Sequence, residues 1–411
     1  MQTDPFSYLN PSPTPREHDT VMSPERGTLV GKSFAIQPNL SVRGWPAEAG
    51  SVALRGFVAL EDATVVERLK KAGATLLGSA RMGELGLGLA GDTVARILSE
   101  GRTDMALMTD MMGEARLTAA RIGLYGFKPT QGIVSRFGLT GLAPSLESVG
   151  ILARTPEDIA AVMDVMVGDD GRDFSMQGGR TPLFDRMTAA ESPLNTIGII
   201  RECLKTMDEK ESVAFSRGLE RLESSGCSVM EMDLPDYDLF RTVHQVIGSV
   251  EASSSCGKFD GVRYGHRTAT AKNWNDMYLK TRAESFGPLV KRYLFQGAYF
   301  QFENYGAFEN AGRIRARLVK GINHLFAGVD ALAFPTRCSR AHEESATGME
   351  DLYDDFVLTL PANVAGVPAV QVPGYCSDGN MDYGLQLLGR RLSDASLLAL
   401  ASRLSRATQG V

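Results

Sequence analysis

The stretch Asp62-Ala63-Thr64-Val65-Val66-Glu67-Arg68-Leu69-Lys70-Lys71-Ala72-Gly73-Ala74-Thr75-Leu76-Leu77-Gly78 decides the fold class. Asp62 reads as an N-cap, apolar residues follow at helical spacing, and Gly73 supplies the stop. Ala74 to Gly78 then predicts a short buried strand. The same unit recurs outward from it. Thr155-Pro156-Glu157-Asp158 gives a cap, a first-turn proline and two acids near the positive end of a helix dipole. Ile159, Val162, Met163 and Met166 form that helix's apolar stripe, which predicts core packing.

Further along, Thr196–Ile200 predicts a strand, roughly Glu211 to Ser224 a helix stopped by Ser225-Gly226, and Cys227–Met232 another strand. Helical patterns cover Leu239–Ser253, Trp274–Arg282 and Phe308–Phe326. Ala331–Pro335 and Tyr383–Leu388 read as strands, and a last helix starts near Ser393 with Leu397, Leu398, Leu400 and Leu404. Alternating elements of this kind favour an α/β sheet covered on both faces. Asn10-Pro11-Ser12-Pro13-Thr14-Pro15 predicts an extended lead-in.

Composition narrows the function classes. The chain has 411 residues, 43% hydrophobic and 22% charged, with a net charge of −6. That balance fits a soluble globular protein and argues against a broad electrostatic grip on nucleic acid. No apolar run reaches the roughly 20 residues that span a bilayer, and no signal-peptide pattern opens the chain. The cytoplasm is the expected location, with an organellar matrix as the alternative. The five cysteines and five histidines are dispersed, which predicts free thiols and neither a metal cluster nor a cofactor.

Several ordered motifs carry a resemblance. Gly126-Phe127-Lys128-Pro129-Thr130-Gln131-Gly132-Ile133-Val134-Ser135-Arg136-Phe137-Gly138-Leu139 is the longest. Asp62–Val66, Asp260-Gly261-Val262-Arg263-Tyr264-Gly265-His266-Arg267, Lys280–Gly287 and Leu360–Pro368 extend it. Together they resemble the amidase signature family, and within it the A subunits of glutamyl-tRNA(Gln) amidotransferase. The resemblance implies an α/β/α sandwich around a mixed β-sheet over residues 31–411, preceded by a flexible lead-in over 1–30. It also implies a small amide ligand and the B and C subunits of that complex as partners, with no direct nucleic-acid contact.

The family's catalytic positions are where this chain departs. The family uses a serine nucleophile, a second serine with a cis peptide bond and a lysine, and backbone N–H groups beside the nucleophile hold the oxyanion. The lysine position here reads Gln37, a neutral amide that cannot accept and return a proton near neutral pH. The nucleophile position reads Glu114, by the register of Thr109, Asp110, Gly113 and Arg116. A carboxylate is a poor nucleophile toward an amide, and its charge beside an oxyanion pocket opposes the charge that develops there. Met112 replaces a glycine and so limits φ > 0 and close backbone approach. The Gly/Ser-rich loop expected near 88–104 is shortened, and alignment puts Ala90 at the second serine.

The plainer readings stand beside these. Glu114 reads as a solvated or arginine-paired carboxylate rather than a new acid or base. Thr109, Asp110, Gly113 and Arg116 read as a vestigial loop, and Gln37-Pro38-Asn39 as a turn. Lys32 falls on the opposite face of its strand from Gln37. An acidic residue expected five positions before Pro361 falls at Phe356, with Asp354 and Asp355 one register slip away. Losing one member of a nucleophile–base unit typically lowers the rate by about 10⁴- to 10⁶-fold, so the expected function is that of an inactive pseudo-amidase acting by binding or assembly. The alternatives are a rewired hydrolase using Glu114 with Asp110 or Thr118, and a shortened gene product, since the family's helical residues before Gly31 are absent too.

Overall fold

The computed structural model describes residues 4–13, 29–177, 194–205, 207, 209–336, 348–373 and 384–409. Its centre is one mixed sheet of eleven strands: β1 (Phe6–Leu9), β2 (Ser33–Ile36), β3 (Thr75–Ala80), β4 (Met105–Asp110), β5 (Tyr125–Lys128), β6 (Ser148–Ala153), β7 (Thr196–Ile200), β8 (Ser228–Met232), β9 (Ala331–Thr336), β10 (Ala369–Val372) and β11 (Gly384–Gly389). They lie in the order β1-β3-β2-β4-β6-β5-β10-β11-β9-β7-β8. Parallel pairing holds β3, β2 and β4 together at one end and β9, β7 and β8 at the other. The strands between them pair antiparallel.

Side-chain alternation explains the layers. Along β4, Met105 and Leu107 enter one core while Ala106 and Met108 enter another, so every residue of the strand is buried. Helices α1 (Thr64–Lys71) and α4 (Pro156–Met166) cover the first face with the C-terminal helix Asp394–Gln409. Helices α2 (Val94–Ser99) and α3 (Glu114–Arg121) cover the second, continued by Leu239–Ser255, Pro288–Ala298 and Tyr305–Leu325. The result is the α/β/α sandwich that the sequence implies. Among the described residues no helix is long and apolar enough to cross a membrane.

Two sequence expectations need correction here. Ala63, not Asp62, is the N-cap of α1, and it makes no side-chain capping bond. Asp62 instead accepts the Arg43 backbone N–H at 2.8 Å and pairs with Lys70 at 2.8 Å, so its charge is used across a turn. The lead-in expected to be flexible over residues 1–30 also contains an ordered strand. Phe6–Leu9 pairs antiparallel with β3 and buries the Phe6 side chain, and Asn10 Nδ2 donates to the Leu76 carbonyl at 2.8 Å. Part of the Asn10–Pro15 stretch, and Tyr383, lie outside the described residues.

One close approach positions the functional region. Helix α3 rests on β5 and β6 through alanines against glycines. A Cβ on Gly126 would lie 2.6 Å from Ala119 Cβ and 2.8 Å from the Ala115 carbonyl, and a Cβ on Gly150 would collide with Ala115. Gly126→Val should therefore force α3 off the sheet and cost about 1–3 kcal/mol by overpacking. A lower denaturation midpoint with unchanged m-value is the expected result.

Candidate functional site

The site lies where parallel strands end and a helix begins, a position at which backbone N–H groups converge. Gln37 follows β2 directly, and Thr109 and Asp110 are the last two residues of the neighbouring β4. Thr109 N donates to Gln37 Oε1 at 2.9 Å, and Gln37 Nε2 donates to Asp92 Oδ2. Gln37 is thus a buried cross-link between β4 and the segment that holds Asp92. Pro38-Asn39 forms the expected turn, and Asn39 Nδ2 donates to Thr109 Oγ1. Lys32 pairs with Asp158 of α4 at 2.6 Å, in the opposite helix layer, where its expected strand face points.

Beyond β4 the chain runs Met111-Met112-Gly113 into α3, with Gly113 as the N-cap at φ +129°. Met112 needs no positive φ; its side chain is fully buried, and the turn's unusual conformation falls on Gly113 alone. The three backbone N–H groups of Met111, Met112 and Gly113 all converge on Glu114 Oε2, at 2.7, 2.7 and 3.1 Å. The expectation of a solvated or arginine-paired Glu114 is therefore corrected. The residue is 1% exposed, its carboxylate lies inside a backbone nest, and Arg116 is engaged elsewhere. Its other oxygen, Oε1, is buried without a hydrogen-bond partner. Burial, then the nearby Asp110 charge, pushes the Glu114 carboxyl up to about 7 against the lowering effect of the N–H donors.

Arg116 is wholly buried. Its Nε and Nη2 grip Asp110 at 3.1 and 2.8 Å, Nη1 donates to the Thr359 carbonyl at 3.0 Å and to Gln386 Oε1, and Nη2 also reaches Asn363 Oδ1. Burial raises the Asp110 pKa, but the Arg116 guanidinium and Asn363 amide outweigh it and hold the carboxyl below its usual range. Thr109, Asp110, Gly113 and Arg116 are thus brought together with Glu114 in one buried hydrogen-bonded assembly.

Ala90 is placed differently. It lines a cavity of about 20 Å³ with Leu117, Arg121, Leu352, Asp355 and Phe356, room for roughly one water. Asp92, two residues on, is the group that reaches Gln37. Burial pushes Asp92 up to about 6, opposed by donors at Val94 N and Gln37. Of the candidates before Pro361, Asp355 lines this cavity beside Phe356, whereas Asp354 pairs with Arg241.

Two participants escaped the sequence reading. His244 stands on the helix Leu239–Ser255, fully buried, with Nε2 3.0 Å from the Met111 carbonyl and Nδ1 3.0 Å from Tyr353 Oη. The carbonyl can only accept, so Nε2 carries the proton and Nδ1 accepts from the tyrosine. Burial pushes this imidazole down to about 4, which keeps it neutral. Lys128 of the longest motif is also buried, and burial, then Arg116, pushes it down to about 7 while it donates to the Pro129 carbonyl at 2.9 Å. A lone histidine and a lysine inside a strand give no sequence signal of either contact. Among the described residues no cluster of His, Cys, Asp or Glu could hold a metal ion.

The fold and this strand-to-helix site define an α/β/α protein built on one large mixed sheet. A sequence profile of the amidase family matches residues 15–103 and 94–398. The chain is 34% identical to the A subunit of glutamyl-tRNA(Gln) amidotransferase from Symbiobacterium thermophilum, over 94% of its own length and 84% of that protein's. It is also 34% identical to the same-named protein of Natronomonas pharaonis, covering 94% of this chain and 98% of that one. The crystal structure of the Thermotoga maritima counterpart superposes with a TM-score of 0.74 at 25% identity, over 96% of this chain and 86% of that one. A peptide amidase from Stenotrophomonas maltophilia, 22% identical over 93% of this chain and 84% of that one, shares the fold with a TM-score of 0.75. The chain belongs to the amidase signature family.

The Glu114 environment sets a pH dependence. A carboxyl raised above its unfolded value gives stability that is complete below the unfolded pKa and is lost as pH rises through about 7. Glu114→Gln removes this titration. The stability of the variant relative to the parent should rise by about 3 kcal/mol, in order of magnitude, between about pH 5 and pH 8. Chemical denaturation of both proteins across that range measures it, and a constant difference would contradict the assignment.

Proposed function

We propose that this chain is a non-catalytic member of the amidase family, acting by binding or assembly, with its anion pocket held shut by Glu114. One observation carries the reading: the carboxylate accepts from the three backbone N–H groups that, by family resemblance, would hold an oxyanion. A substrate oxygen would have to displace a tethered anion from a desolvated site. The base position supports the same reading, because Gln37 is fixed between Thr109 and Asp92 and can move no proton. A hydroxyl does lie beside the nest, that of Thr359, but the acceptors for its proton are the Met112 and Phe356 carbonyls, at 2.5 and 2.8 Å. A carbonyl oxygen is no general base. The rewired alternative finds little support, because Asp110 is committed to Arg116 and Asn363 and Thr118 is buried within α3.

The relatives are named as subunits, which makes assembly the natural positive role. The B and C subunits of the amidotransferase are the proposed partners, in the cytoplasm or an organellar matrix, with no nucleic-acid contact by this chain itself. A small amide could bind near the site without being cleaved.

The purified protein should release no ammonia from glutamine, asparagine or simple amides. Turnover at an ordinary rate of about 1 s⁻¹ or more would end the reading. Glu114→Ser frees the nest and restores a hydroxyl, but turnover should stay absent because Gln37 supplies no base. Co-purification with the B and C subunits of the same organism tests the assembly role.

A further inference from the structure

The nest around Glu114 keeps its shape for reasons that do not involve Glu114. The Asp110 carbonyl, in the same peptide plane as the Met111 N–H, accepts from Asn363 Nδ2 at 3.1 Å, the Met111 carbonyl from His244 Nε2 at 3.0 Å, and the Met112 carbonyl from Thr359 Oγ1 at 2.5 Å. With all three carbonyls engaged outside the nest, the peptide planes are fixed and the N–H groups face inward. Thr359 also packs so tightly on Gly113 that a Cβ there would collide with its hydroxyl. Inside, the occupant fits imperfectly. The two-methylene tether delivers Oε2 to all three donors and leaves Oε1 buried with no partner.

We infer that the Met111–Gly113 nest is a carboxylate-binding site in its own right, with Glu114 as its tethered ligand, and that it takes a free monocarboxylate of acetate size once that side chain is cut back. Glu114→Ala removes a methylene and a carboxylate, the heavy atoms that acetate restores. Glu114→Gly removes one carbon more and matches propionate. An untethered carboxylate can turn to share the three N–H donors between its two oxygens, whereas the tethered one offers them Oε2 alone. Preformed polar sites of this kind bind by exchanging water for a better acceptor. The wild-type chain is thus a carboxylate binder closed by an internal competitor, present at an effective concentration that free acetate cannot match.

This inference rests on the plugged-pocket reading above, but the two fail separately, since ammonia release tests that reading and anion binding tests this one. The experiment is thermal denaturation of the full-length wild type, Glu114→Ala and Glu114→Gln in sodium acetate, with sodium chloride at equal ionic strength as the control. Glu114→Ala should show a Tm that climbs with acetate and levels off, rising by a few degrees, while wild type and Glu114→Gln follow chloride. ¹³C-acetate line broadening with Glu114→Ala alone gives a second readout. Glu114→Gly should respond to propionate more strongly than to acetate. If Glu114→Ala does not fold unaided, acetate-dependent recovery on refolding replaces the Tm shift. A Glu114→Ala response equal to that in chloride, no acetate-dependent recovery on refolding, or the same acetate response in wild type, overturns the inference.

Discussion

A guanidinium shut away from water must have all five of its N–H groups matched by protein acceptors, and Arg116 meets that demand. Its Nε and one Nη2 hydrogen hold Asp110, the other Nη2 hydrogen holds Asn363, and the Nη1 pair holds the Thr359 carbonyl and Gln386. Those acceptors come from the end of β4, the short helix Leu360–Ala365 with the residue before it, and β11. One side chain on α3 therefore ties the parallel and antiparallel parts of the sheet together. Removing either charge would strand the other in a dry interior, which is why this pair constrains everything near it.

The site inherits its geometry from that constraint. With Arg116 and Asp110 locked and Ala115 and Ala119 seated against Gly150 and Gly126, the first residue of α3 can point in only one direction, into the turn behind it. A short hydroxyl there would stop short of the Met111–Gly113 donors and leave them open to a ligand. Glutamate is long enough to fold back and occupy them. Chain length and charge at this one position decide whether the Met111–Gly113 donors are open or filled.

The sequence was legible where elements announce themselves locally. Thr155 caps α4 with its side chain accepting from Asp158 N, and β7 runs over Thr196–Ile200 as its composition predicts. It was less legible in β4, β5 and β6, which are buried on both faces and so lack alternation. Asp62 failed as a cap because Lys70 and Arg43 N lay within its reach, contacts that depend on tertiary turns. Glu114 was misread for a related reason. An acid next to Gly113 and two residues before an arginine looks solvated or paired from local spacing. The actual partners are backbone groups whose orientation is set by His244 and Thr359, more than a hundred residues away. What surrounds Glu114 could not be read from its neighbours in the chain.

Helix capping alone does not account for a glutamate here. As an acceptor for three N–H groups near the start of α3 it serves as a cap, yet burial and Asp110 push its pKa to about 7, so its charge is held against a desolvation cost. Oε1 gains nothing in return. A glutamine would present an acceptor to the same donors without a charge to desolvate, and Gln37 shows that this interior accommodates a buried primary amide when both of its ends are matched. Oε1 has no such match, and an amide nitrogen in its place would be an unpaired donor, which costs at least as much as an unpaired acceptor. The balance between a neutral group with one orphan donor and an anion with one orphan oxygen turns on pH. Below about 7 the protonated carboxyl avoids the charge penalty, and above it the anion makes stronger bonds with the nest while bearing the full cost of burial. The residue that closes this pocket is therefore a compromise, tolerable near neutrality because its own titration falls there.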